Sequence, residues 1–285
     1  MFIYPMLLAT APSPFSDSDY IFEPKVDGHR LIFSQESSMI QLYTRHNNDC
    51  TQQYPELLVP FDDDISLDGE VACVDPATGL SDIDAVMSRL KAGKHDKIQR
   101  LTSTLPVTFV IFDILQYKGR DLRRLPLMER KAILSTLTLP GPAFGIIPYI
   151  EGAGEQLFEQ IESWGMEGMV GKRKNSLYVS QRSPAWKKVI NWSYADVYIT
   201  GYRKGEFGWL TAVMDGSGKL RPTGIIEHGP GPKVKKAFYL VSREIVAGED
   251  KNFVYLEPYI RAQVKMRNWT KSGMLRDPVF TKFIV

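Results

Sequence analysis

Lys25 sits in the stretch "EPKVDGHR", with Glu23 two residues before it, Asp27 two after it, and Gly28 and Arg30 close behind. A lysine amine titrates near 10.4 in a model peptide, so at neutral pH it attacks nothing until nearby cations or desolvation favour its neutral form. A turn at Gly28 could fold Arg30 back towards the lysine. A surface turn between strands accounts for the same residues equally simply. Three other stretches carry charges suited to phosphate chemistry. "SLDGEVA" projects Asp68 and Glu70 from an apolar strand, and Glu70 could bind a ribose hydroxyl or a divalent cation. "EGMVGKR" puts Glu167 and Lys172 at the two ends of a short strand, a carboxylate for metal and an amine for phosphate. "SPAWKKVI" sets Lys187 and Lys188 after Trp186, and a strand would point the two lysines to opposite faces. Taken singly, each is also an ordinary solvated turn or strand end.

The elements that must position these groups are mostly strands. "YIFEPK", "RLIFSQ", "MIQLYTR" and "ISLDGEVACV" are rich in β-branched and aromatic residues, and "PVTFVIFDILQY" is a continuous apolar run expected of a buried strand. Helices are expected in "SDIDAVMSRLKAGK", with Ser81 as cap and Asp84 three residues on, and in "LPLMERKAILSTL", with Pro126 in its first turn. A third, "GEQLFEQIESWGMEG", puts Leu157, Ile161 and Trp164 on one face and stops at Gly165. Near residue 190 the character changes to five glycine-punctuated strands. A helix with Val234, Ala237, Phe238 and Val241 on one face follows the third, an order that matches a small OB barrel among other small barrels.

The 285 residues are 44% hydrophobic, enough for two cored domains. No run approaches the roughly 18 apolar residues of a membrane span, and the short apolar start lacks a basic n-region. Cys50 and Cys73, the only cysteines, exclude a four-cysteine zinc site and fit a reducing cytoplasm. Residues 190–285 hold 15 Lys and Arg against 9 Asp and Glu, whereas residues 1–189 hold 20 against 24. That asymmetry suits an anionic ligand such as nucleic acid, or simply a solvated surface.

The order of these pieces makes them specific: Lys-x-Asp-Gly-x-Arg, then Asp-Gly-Glu, then Glu-Gly-apolar-Lys, then Trp-Lys-Lys, then a basic barrel. In this the chain resembles the covalent nucleotidyltransferase superfamily, and within it the short bacterial and phage ATP-dependent DNA ligases. The stretches "PMLLATAPSPF", "LYTRHNNDCTQQYPEL", "FDILQYKGRDLRRLPLMERK" and "NWTKSGMLRDPVF" look like theirs, so the likeness spans nearly the whole chain. It implies an α+β fold. An adenylation (nucleotidyltransferase) domain of antiparallel sheets with flanking helices would occupy 1–189, and an OB-fold β-barrel 190–285.

The resemblance also implies roles. Lys25 would attack the α-phosphorus of ATP and carry AMP, and Glu23 would read the adenine amino group. Asp27 belongs to the nucleotide-binding set. Arg30 and Arg45 would contact the ribose or the phosphate of a nick, with Asn47 replacing a usual glycine in the turn after Arg45. Glu70 and Glu167 would hold the ribose and Mg²⁺ or Mn²⁺, and Phe112 would stack on the base. Lys172 and Lys188 would neutralise the α-phosphate and prepare Lys25 for attack. Ile190 stands where the family has a second lysine after its tryptophan. Arg276 is the candidate to orient pyrophosphate. The expected substrate is nicked duplex DNA, bound by a cytoplasmic monomer without a membrane and with no protein partner that can be inferred. An RNA ligase, a capping-type enzyme of the same superfamily, and a non-catalytic nucleic-acid-binding module are the alternatives.

Overall fold

The computed structural model describes residues 2–75 and 77–284, which form two compact units, Met1–Asn191 and Trp192–Val285. The first unit contains strands β1 (Leu7–Thr10), β2 (Asp17–Pro24), β3 (His29–Glu36), β4 (Met39–Thr44), β5 (Ile65–Ala72) and β6 (Thr108–Tyr117). They are followed by β7 (Arg120–Asp121), β8 (Phe144–Ile146), β9 (Ile150–Gly152), β10 (Gly168–Arg173) and β11 (Arg182–Ile190). Its helices are α1 (Ile83–Leu90), α2 (His95–Thr104), α3 (Leu127–Ser135) and α4 (Gly154–Trp164).

These strands make two sheets. One runs β1-β11-β10-β2-β9, the other β4-β3-β5-β6-β7 with β8 against β6. Alternation along β2 explains how it serves two layers. Tyr20 and Phe22 pack with Leu157, Phe158 and Ile161 of α4, while Ile21 joins a cluster with Ile32, Leu115 and Trp186 from both sheets. Likewise β3 sends Leu31 and Phe33 into the largest core, with Val86 of α1, and turns Ile32 the other way.

Several expected elements shift in detail. The first helix is capped by Asp82, whose carboxylate accepts from the Ala85 amide at 3.1 Å; Ser81 instead bridges Val74. A separate helix, α2, follows where one was expected. Trp164 is 55% exposed, so α4 buries Leu157 and Ile161 without it.

The second unit is one sheet with one helix: β12 (Ser193–Arg203), β13 (Trp209–Met214), β14 (Leu220–Ile226), α5 (Pro232–Ser242), β15 (Val246–Glu249), β16 (Phe253–Met266) and β17 (Val279–Ile284). The helix does follow the third strand, and its Phe238 packs 4.4 Å from the Trp209 ring. Val241 is exposed, so the apolar stripe of α5 is narrower than its spacing suggests. The last two expected strands are one 14-residue strand, β16, flanked by the unexpected β15 and β17. The sheet order is β14-β13-β12-β16-β15 with β17 on β16, and among the described residues no pairing closes it into a barrel. The molecule is thus mostly sheet with few helices.

Candidate active site

The cleft of interest lies in the first unit, where β2, β10 and β11 face β3, β5 and β6. Its empty space is about 410 Å³, and its walls include Leu8, Pro24, Val26, Ile147, Val170 and Trp186 alongside the charged groups. That is the size and mixed character of a small-ligand site.

Lys25 follows the end of β2, and its amide donates to the Gly168 carbonyl at 2.7 Å, which ties it to β10. Its side chain reaches Glu167, with Nζ 2.5 Å from Oε2. Gly28 makes the next turn possible by contact: a Cβ there would stand 2.0 Å from the Val71 carbonyl oxygen. Arg30, on β3, does not fold back onto the lysine. It grips both carboxylate oxygens of the fully buried Asp68, donates to the Met6 carbonyl at 3.2 Å, and covers the Phe112 ring at 4.5 Å. The Tyr178 hydroxyl donates to Asp68 at 2.6 Å and accepts from the Met6 amide at 3.0 Å, so three chain segments meet on one carboxylate.

Glu70 is paired across the ladder with Arg30 and shares the cleft wall. Burial pushes its carboxyl up to about 7; Lys25 and Arg30 pull it down, and Glu167 adds repulsion. Opposite them, Glu23 lies between two lysines. Its Oε1 meets Lys131 and its Oε2 is 2.7 Å from Lys172. The Lys172 ammonium sits 4.3 Å above Phe112 and 4.2 Å above Trp186. Burial brings it down to about 8, against the pull of Glu23.

Glu23, Lys25, Arg30, Glu70, Phe112 and Lys172 therefore line one cleft, and Glu167 joins it through Lys25. Asp27 is half-buried outside the lining, while Arg45 is exposed, its Nε 2.8 Å from the His46 ring. Asn47 has φ +63°, the left-handed turn expected for a glycine substitute. Lys188 is opposite Val170 and Lys172 opposite Trp186, so alternation points Lys188 to the cleft side of β11, as it does Ile190. Lys187 points away and lies 5.3 Å from the Phe15 ring. Arg276 lies in the loop between β16 and β17 of the second unit.

Sequence reading missed Lys131, Asp68 with Tyr178, and the buried Arg130–Asp113 pair. A signal existed for the lysine. Leu127, Arg130, Lys131 and Leu134 fall at i, i+3, i+4 and i+7 on α3, so two cations lie on its apolar stripe. Buried cations there require acids, and they find Asp113 and Glu23.

Comparison with known proteins matches this arrangement. Residues 5–189 fit the ATP dependent DNA ligase domain. The chain is 38% identical over its full length to the SPbeta prophage-derived DNA ligase-like protein LigB of Bacillus subtilis, which it also covers completely. It is 27% identical over 91% of its length to the multifunctional non-homologous end joining DNA repair protein LigD of Mycobacterium tuberculosis, of which it spans 35%. Among solved structures, a mycobacterial DNA ligase D complexed with ATP and MES matches at 26% identity with a TM-score of 0.60, covering 98% of this chain and 94% of that one. No helix among the described residues is long and apolar enough to cross a membrane. The chain belongs to the ATP-dependent DNA ligase family.

Proposed function

We propose that this enzyme seals nicks in duplex DNA through an AMP carried on Lys25. The observation that supports this best is the placement of the Lys25 amine, beside Glu167 and at the mouth of a cleft whose far wall carries Glu23, Phe112 and Lys172. The Lys25 nitrogen forms a bond to the α-phosphorus of ATP while the bond to the β-phosphate oxygen breaks and pyrophosphate leaves. The amine gives up a proton in this step, and the Glu167 carboxylate is positioned to accept it. A 5′-phosphate oxygen of the nick then takes the AMP, breaking the phosphorus–nitrogen bond and restoring the lysine. Finally the 3′-hydroxyl oxygen attacks the activated 5′-phosphorus, a phosphodiester forms, and AMP departs.

Charge must be neutralised and the reactants held in line for the first step. Arg30, fixed by Asp68, is placed to bind an anionic or hydroxyl group, and Lys188 projects from the same sheet face as Trp186. Glu70 and Glu167 would hold the divalent cation. Among the described residues no group of three or more protein ligands occurs, which suits Mg²⁺ or Mn²⁺ bound by two carboxylates and otherwise by water and phosphate. Once bound, that ion supplies charge neutralisation on the phosphates. Residues 1–189 act as the adenylation domain, and residues 190–285 as an OB-type module that binds DNA phosphates. Its β12–β16 face carries Tyr194, Tyr198, Arg261 and Lys265.

A nicked duplex with a labelled 5′-phosphate, incubated with the protein, ATP and Mg²⁺, tests the reading. The label should become resistant to phosphatase and the strand should lengthen. Sealing of a nicked RNA duplex in preference to DNA, or none at all, contradicts it.

A further inference from the structure

The inner end of the cleft is an ion triad. Two ammonium groups share one carboxylate, and none of the three side chains is more than 3% exposed. Such an uneven buried cluster is costly to maintain unless it serves something. Lys131 Nζ, Lys172 Nζ and Glu23 Oε1 meet through charge, yet none completes a hydrogen bond of normal angle, so buried donors and an acceptor await a partner. Glu23 and Lys172 line the cleft beside the Phe112 ring, whereas Lys131 stands behind Glu23 and is outside the lining.

We propose that the triad reads the Watson–Crick edge of the nucleobase: Glu23 accepts from the exocyclic amine of adenine, Lys172 donates to the neighbouring ring nitrogen N1, and Lys131 is the positioning residue that pins Glu23. The inference rests on the nucleotide-transfer reading above and moves Lys172 from the phosphates to the base. A carboxylate has about four acceptor positions, and the two lysines occupy two, so Glu23 keeps capacity for the amine. Adenine presents a donor beside an acceptor. Guanine presents the reverse, a carbonyl oxygen towards Glu23 and an N–H towards Lys172, which repels at both contacts. Phe112 and Trp186 confine the lysine between aromatic faces and so fix where it donates.

The test measures label transfer to the protein from ATP, purine riboside triphosphate (no amino group) and 1-deaza-ATP (carbon in place of N1). Wild type should favour ATP over each analogue by at least about tenfold in kcat/KM, the scale of one lost hydrogen bond in a buried site. Lys131→Met should lose the preference over purine riboside triphosphate, and Lys131→Arg should keep most of it. Lys172→Met should lose the preference over 1-deaza-ATP. Unchanged preferences in Lys131→Met and Lys172→Met, with both nucleotides slowed equally, would make the lysines merely structural and overturn the proposal. Should either variant fail to fold, wild type decides: equal use of ATP and both analogues overturns the proposal, and discrimination supports it. If wild type takes label from none of the three, the nucleotide-transfer reading itself fails.

Discussion

The ammonium of Lys25 and the carboxylate of Glu167 meet at 2.5 Å across 142 residues of sequence. The contact joins the end of β2 to the start of β10, the two neighbouring strands that line the cleft. It makes Glu167 the immediate partner of the nucleophile, while Lys172 is engaged by Glu23 instead. Glu167→Gln should therefore slow the first nucleotide transfer by about 10²-fold or more, the scale of lost proton transfer and charge placement. Single-turnover labelling with ATP measures this, and a rate within threefold of wild type (~0.7 kcal/mol) would remove Glu167 from the mechanism.

Tyr178 holds Asp68, and Asp68 holds Arg30. Tyr178→Phe leaves a buried carboxylate oxygen and the Met6 amide each short of a partner. Loss of about 1–3 kcal/mol in urea unfolding is expected, with a raised KM for ATP because Arg30 loosens over Phe112. A variant as stable as wild type would show that the hydroxyl network is dispensable.

The Arg130–Asp113 pair has both side chains fully buried and bonds of 2.8 Å at both forks. Arg130→Met strands the Asp113 charge and should cost about 3–5 kcal/mol. Arg130→Met with Asp113→Leu should recover most of it. Equal stability of the single and double variants contradicts that assignment.

Lys172 gives a pH signature. Burial lowers its ammonium to about 8 from the ordinary 10.5, so between those values the unfolded chain binds more protons than the folded one. Stability should thus rise with pH across that window, because the penalty of a buried charge present below pH 8 is progressively relieved. The gain is on the order of a few kcal/mol. Chemical unfolding at pH 8 and 10 in wild type and Lys172→Met isolates it, and identical pH slopes would contradict it.

Nick binding should fall with salt, since the second unit contributes the positive surplus. Affinity for a nicked duplex is expected to drop by at least about tenfold between 50 and 200 mM salt. A flat response would argue against phosphate contacts.

Much of this was legible in the sequence where local pattern and chemistry coincide. The strand carrying "ISLDGEVA", the turn at Asn47 and the helix ended by Gly165 all follow from periodicity and backbone preference. The cleft-lining set was legible because its charges recur in a fixed order. What escaped depends on distant contacts. Arg30 chooses Asp68 over Lys25 because β3 and β5 pair in a register that no local pattern encodes. Lys131 looked like surface helix until α3 turned that face inward. Trp164, at the end of α4, fits the apolar spacing but lies beyond the packed layer.

The central claim is that Lys25 becomes covalently joined to AMP. Incubation with ATP and Mg²⁺, followed by peptide mass mapping, should place one AMP on the peptide containing Lys25 and none on Lys25→Ala. AMP on another residue, or no modified peptide from an ATP-treated folded protein, would contradict the account.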